Sequence, residues 1–104
     1  MTRNLVVVTV TAPDGEWLAE FVAGLVTDGL IACGNIVAGV RSVYRWEGSV
    51  VTDTEALAVL HTTADRVDAL RARVDRDHPY AVPQFVVLPA TASPAYAAWV
   101  GEAR

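Results

Sequence analysis

The sequence predicts an α+β sandwich, with strands and helices in the order βαββαβ and a short helix at the C-terminus. Three observations predict it. Eighteen Val stand against eight Leu and two Ile, and branching at Cβ suits a pleated surface better than a helix. A strand–helix–strand pattern occurs twice, once on each side of Gly48. Gly, Pro or a capping residue punctuates nearly every junction. At 104 residues the chain forms one domain over 1–104, long enough to bury a core without metal or disulfide staples.

The first strand is read at residues 4–11, where Leu5-Val6-Val7-Val8-Thr9-Val10 is short, branched and almost continuously apolar. Pro13-Asp14-Gly15 stops it, and Asp14 can cap a helix by accepting from free backbone N–H groups. Leu18, Phe21, Val22 and Leu25 then recur at i, i+3, i+4, i+7, the stripe of an amphipathic helix. Gly29 is its stop. From Arg41 to Glu47 apolar and polar residues roughly alternate, giving the second strand, with Gly48-Ser49 as a hairpin turn and Val50-Val51 starting the return. The third strand runs on through residues 55–62. Thr62-x-x-Asp65 resembles a capping box for a second helix, whose face is Val67, Leu70 and Val74. That helix ends at His78-Pro79, because the residue before proline disfavours helical angles. Residues 84–88 form the last strand. Ser93-Pro94 opens a terminal helix, with Tyr96, Trp99 and Val100 on one face. Two split βαβ units with right-handed crossovers give a four-stranded antiparallel sheet with both long helices on one face. This is the ferredoxin-like sandwich, and it leaves the second sheet face in need of a cover.

Composition makes the same demand. The chain is 53% hydrophobic and only 19% charged, with a mean hydropathy of +0.33, which excludes disorder and points to self-association. Net charge is −4, and the eight basic residues are all Arg, scattered rather than clustered. Nucleic acid is therefore not an expected partner. No apolar run approaches the roughly 20 residues of a spanning helix, so no membrane contact is expected. The N-terminus lacks a signal peptide's layout, and the single cysteine, Cys33, suits a reducing compartment; the expectation is cytoplasmic.

No nucleophile elbow, phosphate loop, dinucleotide fingerprint, zinc-protease helix or C-x-x-C is present, so no enzyme is expected. Cys33 with His78 could pair a thiol with its base; otherwise Cys33 is a small buried apolar residue. Cys33, His61 and His78 are the soft or borderline metal donors, without clustered spacing. His61 reads as an ordinary hydrogen-bonded strand residue and His78 as a restrained corner beside Pro79-Tyr80. Tyr44, Trp46, Tyr80 and Trp99 read as core or interface aromatics, or as the lining of a cleft.

Six segments in order resemble the CutA divalent-cation tolerance family: Thr11-Ala12-Pro13-Asp14, Ala32-Cys33-Gly34-Asn35-Ile36, Ser42-Val43-Tyr44-Arg45-Trp46-Glu47-Gly48, His78-Pro79-Tyr80-Ala81-Val82-Pro83, Leu88-Pro89 and Tyr96-x-x-Trp99-Val100. The resemblance implies a ferredoxin-like homotrimer with neighbouring sheets meeting around the three-fold axis. It implies tolerance of divalent metals, copper especially, with copper or another divalent cation as the bound species and no firm cofactor. It carries His78 and Cys33 over as metal-site residues. The family usually has Pro-Glu where this chain has Pro83-Gln84, and some relatives have a cysteine at the position of Val10. A neutral amide is a poor metal ligand, so Gln84 weakens that site. The resemblance also leads us to read Gly34, where relatives commonly have Val, as local backbone loosening. The alternative function is a small-molecule sensor similar to the PII signalling trimers, with ligand clefts between subunits. Such sensors favour a flexible Arg-rich loop, and the segment between Gly48 and Glu55 is short and has no Arg.

Overall fold

The computed structural model describes residues 4–103. Eight residues at Leu5–Ala12 form β1, followed by α1 (Gly15–Thr27), β2 (Cys33–Trp46), β3 (Ser49–Thr63), α2 (Val67–Asp77), β4 (Val86–Pro89) and α3 (Pro94–Glu102). A single 3-10 turn over Ala64–Arg66 leads into α2. The sheet order is β2-β3-β1-β4, and every pairing is antiparallel, as the sequence predicts.

Alternation along the strands decides the two faces. Val6, Val8, Val10 and Ala12 of β1 and Ala56, Ala58 and Leu60 of β3 are buried against one helical layer. Leu18, Val22 and Leu25 of α1 join that core with Leu70 and Val74 of α2. Asp14 caps α1 by accepting from the Glu16 N–H at 2.9 Å, and Ser93 caps α3 by accepting from the Tyr96 N–H. Gly34 lies where α1 packs tightly on the sheet. A Cβ there would stand 2.7 Å from Val22 Cγ1 and 2.9 Å from Leu60 Cδ2. Close approach, not backbone loosening, explains the glycine.

The odd-numbered residues of β3 face the other way, and α3 covers one end of that face through Tyr96, which bonds His61. Arg66 anchors the end of α3. Its buried guanidinium donates to the carbonyls of Val100 and Gly101 at 3.4 and 3.1 Å, satisfying helix-end acceptors. Elsewhere on that face Val37 and Val86 stay exposed. The second face is thus partly covered within the chain, where the sequence had suggested it was wholly bare.

Only Ala56–Thr63 of β3 pairs with β1. The rest pairs with β2 alone, so the β2–β3 hairpin projects as a two-stranded arm, and the molecule measures 47 × 23 × 23 Å. Val43, Trp46 and Val50 are 63%, 55% and 68% exposed on it. Glu47 and Gly48 form its turn, both at positive φ, as a two-residue type I′ hairpin requires; the turn sits one residue before the predicted Gly48-Ser49. Two further expectations change. Thr62 does not cap α2, because its hydroxyl donates to the Leu30 carbonyl at 2.8 Å, and β4 begins at Val86, two residues late.

Candidate functional site

His78 terminates α2 in extended conformation, ψ 140°, as Pro79 demands. Its side chain turns into the protein and is 7% exposed. Nε2 donates to the Thr11 carbonyl at 2.7 Å, and Nδ1 accepts from the Tyr80 N–H at 3.0 Å. Those two partners fix the tautomer with the proton on Nε2. Trp17 meets the ring edge-on, with centroids 5.5 Å apart. Both nitrogens are committed, so the ring would have to give up a backbone bond before it could bind a metal. Next to it, Tyr80 donates to Glu55 at 2.9 Å. Burial, and then the carboxylate of Glu55, push the Tyr80 hydroxyl up to about 12. Tyr44 donates to Asp53 further along the arm; that bond raises the Tyr44 pKa.

Cys33 lies on another side of β3. It is half-buried at the start of β2, directly opposite His61. Its Sγ is 3.3 Å from His61 Nδ1 and 2.9 Å from Tyr96 Oη, and the latter two atoms are 2.7 Å apart. The rings of His61 and Tyr96 meet edge to face at 5.6 Å and 89°. Hydrogen bonding to Cys33, followed by burial, pushes the Tyr96 hydroxyl up to about 12. Among the described residues no three of His, Cys, Asp and Glu gather; here the third heteroatom is a tyrosine oxygen. Thiol and imidazole are a donor pair that fits a thiophilic metal.

The structure therefore separates the two residues that the sequence reading put together. Thr11, which holds His78, pairs with Leu57, while Cys33 pairs with His61. Those positions are four residue steps apart on β3, about 13 Å, and β1 and β2 flank β3 on opposite sides. Cys33 has His61, not His78, as its imidazole neighbour. Gln84 also has a local role, its Oε1 accepting from the Thr9 hydroxyl at 2.9 Å.

The sequence offers His61 as a donor but does not pair it with Cys33, for a geometric reason. Running the hairpin register back from Trp46↔Ser49 without interruption would set Cys33 opposite Thr62. A bulge between Val37 and Val40 sets two β2 residues, Ala38 and Gly39, against Ala56 and shifts the register by one. Gly39 adopts φ 69° there. That glycine was the available signal.

The model of the CutA1 divalent ion tolerance protein family matches residues 6–103. The chain belongs to that family. A CutA divalent-cation tolerance protein of Thermus thermophilus is 42% identical over 97 residues, covering 92% of this chain and 94% of the relative. A solved structure of the divalent cation tolerance protein from Thermus thermophilus superimposes with a TM-score of 0.91 at 41% identity, covering 95% of this chain and 97% of that one. The CutA1 structure from Oryza sativa gives 0.90 at 38%, covering 95% and 92%. A chloroplastic rice CutA 1 is 42% identical over 84 residues, 81% of this chain; the match spans about half of that longer protein, 48%. No helix among the described residues is long and apolar enough to cross a membrane.

Proposed function

We propose that this CutA-family chain acts in divalent-cation tolerance without catalysing a reaction, as a cytoplasmic homotrimer of single-domain subunits that binds copper or another divalent cation weakly. Cys33 supplies the soft donor. The observation that carries the metal reading is the half-buried thiol with an imidazole nitrogen and a phenol oxygen within 3.3 Å. His78 is the second candidate donor, and it binds more weakly because Tyr80 already donates to its Nδ1. The homotrimer is supported by the apolar arm residues Val43, Trp46 and Val50 and by the open part of the second sheet face, surfaces of the kind that mark interfaces.

Sedimentation equilibrium with calorimetric copper and zinc titrations tests both parts. The expected result is three times the 11.1 kDa chain mass, with binding that weakens strongly in Cys33→Ser and slightly in His78→Ala. A monodisperse single chain overturns the trimer, and an absence of binding in the wild type overturns the metal reading.

A further inference from the structure

We propose that Cys33 Sγ and His61 Nδ1 are the two ligands of a copper(I)-class site, with Tyr96 as the residue that positions them. The proposal rests on the metal-binding reading above and supplies its donor set and oxidation state. Nothing in the family resemblance assigns His61 or Tyr96 a role.

Register brings the donors together. Cys33 and His61 are directly opposed across β2 and β3, where facing Cβ atoms are about 4.5–5.5 Å apart. The 3.3 Å between Sγ and Nδ1 corresponds, for bonds to sulfur and nitrogen of about 2.0–2.3 Å, to a bent angle at the ion, and the two side chains part to reach the wider angle that two-coordinate copper(I) takes. Both ligands stand on paired strands, so the spacing is held by the sheet ladder and does not depend on a loop. Half-burial keeps bulk water from competing while leaving a path for the ion.

The donor types choose the metal. Thiolate selects copper(I) and zinc, and imidazole suits both. Structural zinc takes four protein ligands, whereas copper(I) is content with two or three. Among the described residues no carboxylate or further His joins the cluster. Two strong donors satisfy copper(I) and leave zinc short. On binding, copper(I) replaces the Cys33 thiol proton, which leaves to solvent, and the sulfur–copper bond forms with no change of oxidation state. Tyr96 turns its O–H toward the bound sulfur. Its ring packs at a tilt against Trp99, centroids 5.6 Å apart, and the packing of α3 fixes it over the strand pair.

Copper(I), held reduced under anaerobic conditions and competed against a chromogenic chelator, tests the proposal on the intact oligomer. Affinity is expected to fall about a hundredfold or more in Cys33→Ser and at least about tenfold in His61→Gln, while staying within about threefold of wild type in His78→Ala. Tyr96→Phe should fall between. Zinc should bind the wild type more weakly than copper(I). X-ray absorption on the copper-loaded wild type needs no variant, and is expected to show one sulfur and one imidazole ligand. Copper(I) binding that His61→Gln leaves unchanged, or a spectrum without imidazole, overturns the proposal while the metal-binding reading survives. Failure of copper(I), copper(II) and zinc alike to bind the wild type overturns both.

Discussion

The two histidines sit in opposite circumstances. His78 lies in a corner where backbone supplies both of its partners, the Thr11 carbonyl and the Tyr80 N–H. His61 lies on a strand where its neighbours at Nδ1 are side chains that can themselves change protonation or move, Cys33 and Tyr96. Backbone partners are fixed by the fold, so His78 serves the joint between α2 and the final strand. Side-chain partners can rearrange around an ion. A histidine's fitness as a ligand depends on what its nitrogens already hold, and the residue more conspicuous in the sequence is the less available one.

The largest effect that separates the two regions is on stability. His78→Ala removes the donor to the buried Thr11 carbonyl and the acceptor of the part-buried Tyr80 N–H, which costs about 1–3 kcal/mol. Denaturant unfolding should show that loss, and His61→Ala should show clearly less, because its partners are half-exposed. Equal losses would erase the distinction. Gly39→Ala comes next. Nothing lies within 4 Å of a Cβ at that position, so its cost is the left-handed backbone alone, about 1–2 kcal/mol. If the bulge gives way, Cys33 loses its register with His61, and the reactivity of the thiol toward an alkylating probe should change while the His78 corner does not.

A pH effect sharpens the corner itself. The Tyr80 hydroxyl is raised to about 12 from 10.0, so the folded chain holds that proton where the unfolded chain releases it. The stabilisation is complete below pH 10 and is lost as pH rises toward 12. Tyr80→Phe should flatten the alkaline limb of the stability profile; an unchanged limb would contradict the assignment. The smallest effect is expected from Gln84→Glu. Gln84 is engaged with Thr9 and lies in neither histidine's set of contacts, so calorimetric metal affinity should stay within about twofold. A gain of about tenfold or more would make position 84 part of a metal site.

Much of this was legible in the sequence. The Val-rich runs, Asp14 and Ser93 as caps, the stripe of Leu18, Val22 and Leu25, and Pro79 after α2 marked the elements and their order, because each is a local preference that tertiary packing here reinforces. The family motifs pointed to the fold's relatives. What escaped was set by register and close approach. The one-residue bulge at Gly39 decides whether His61 or Thr62 faces Cys33. Gly34 looked like a loosened backbone and is a contact between α1 and the sheet. Thr62 had the spacing of a cap, but the carbonyl of Leu30 competes for its hydroxyl. Each of these depends on a residue far away in the chain, which periodicity cannot register.

The division of labour between the two histidines is tested most directly by nitrogen NMR of the imidazole rings in the wild-type protein as copper(I) is added. The expected result is a large displacement of the His61 Nδ1 resonance, with His78 unmoved and still protonated on Nε2. A displacement of His78 with His61 unaffected would contradict it.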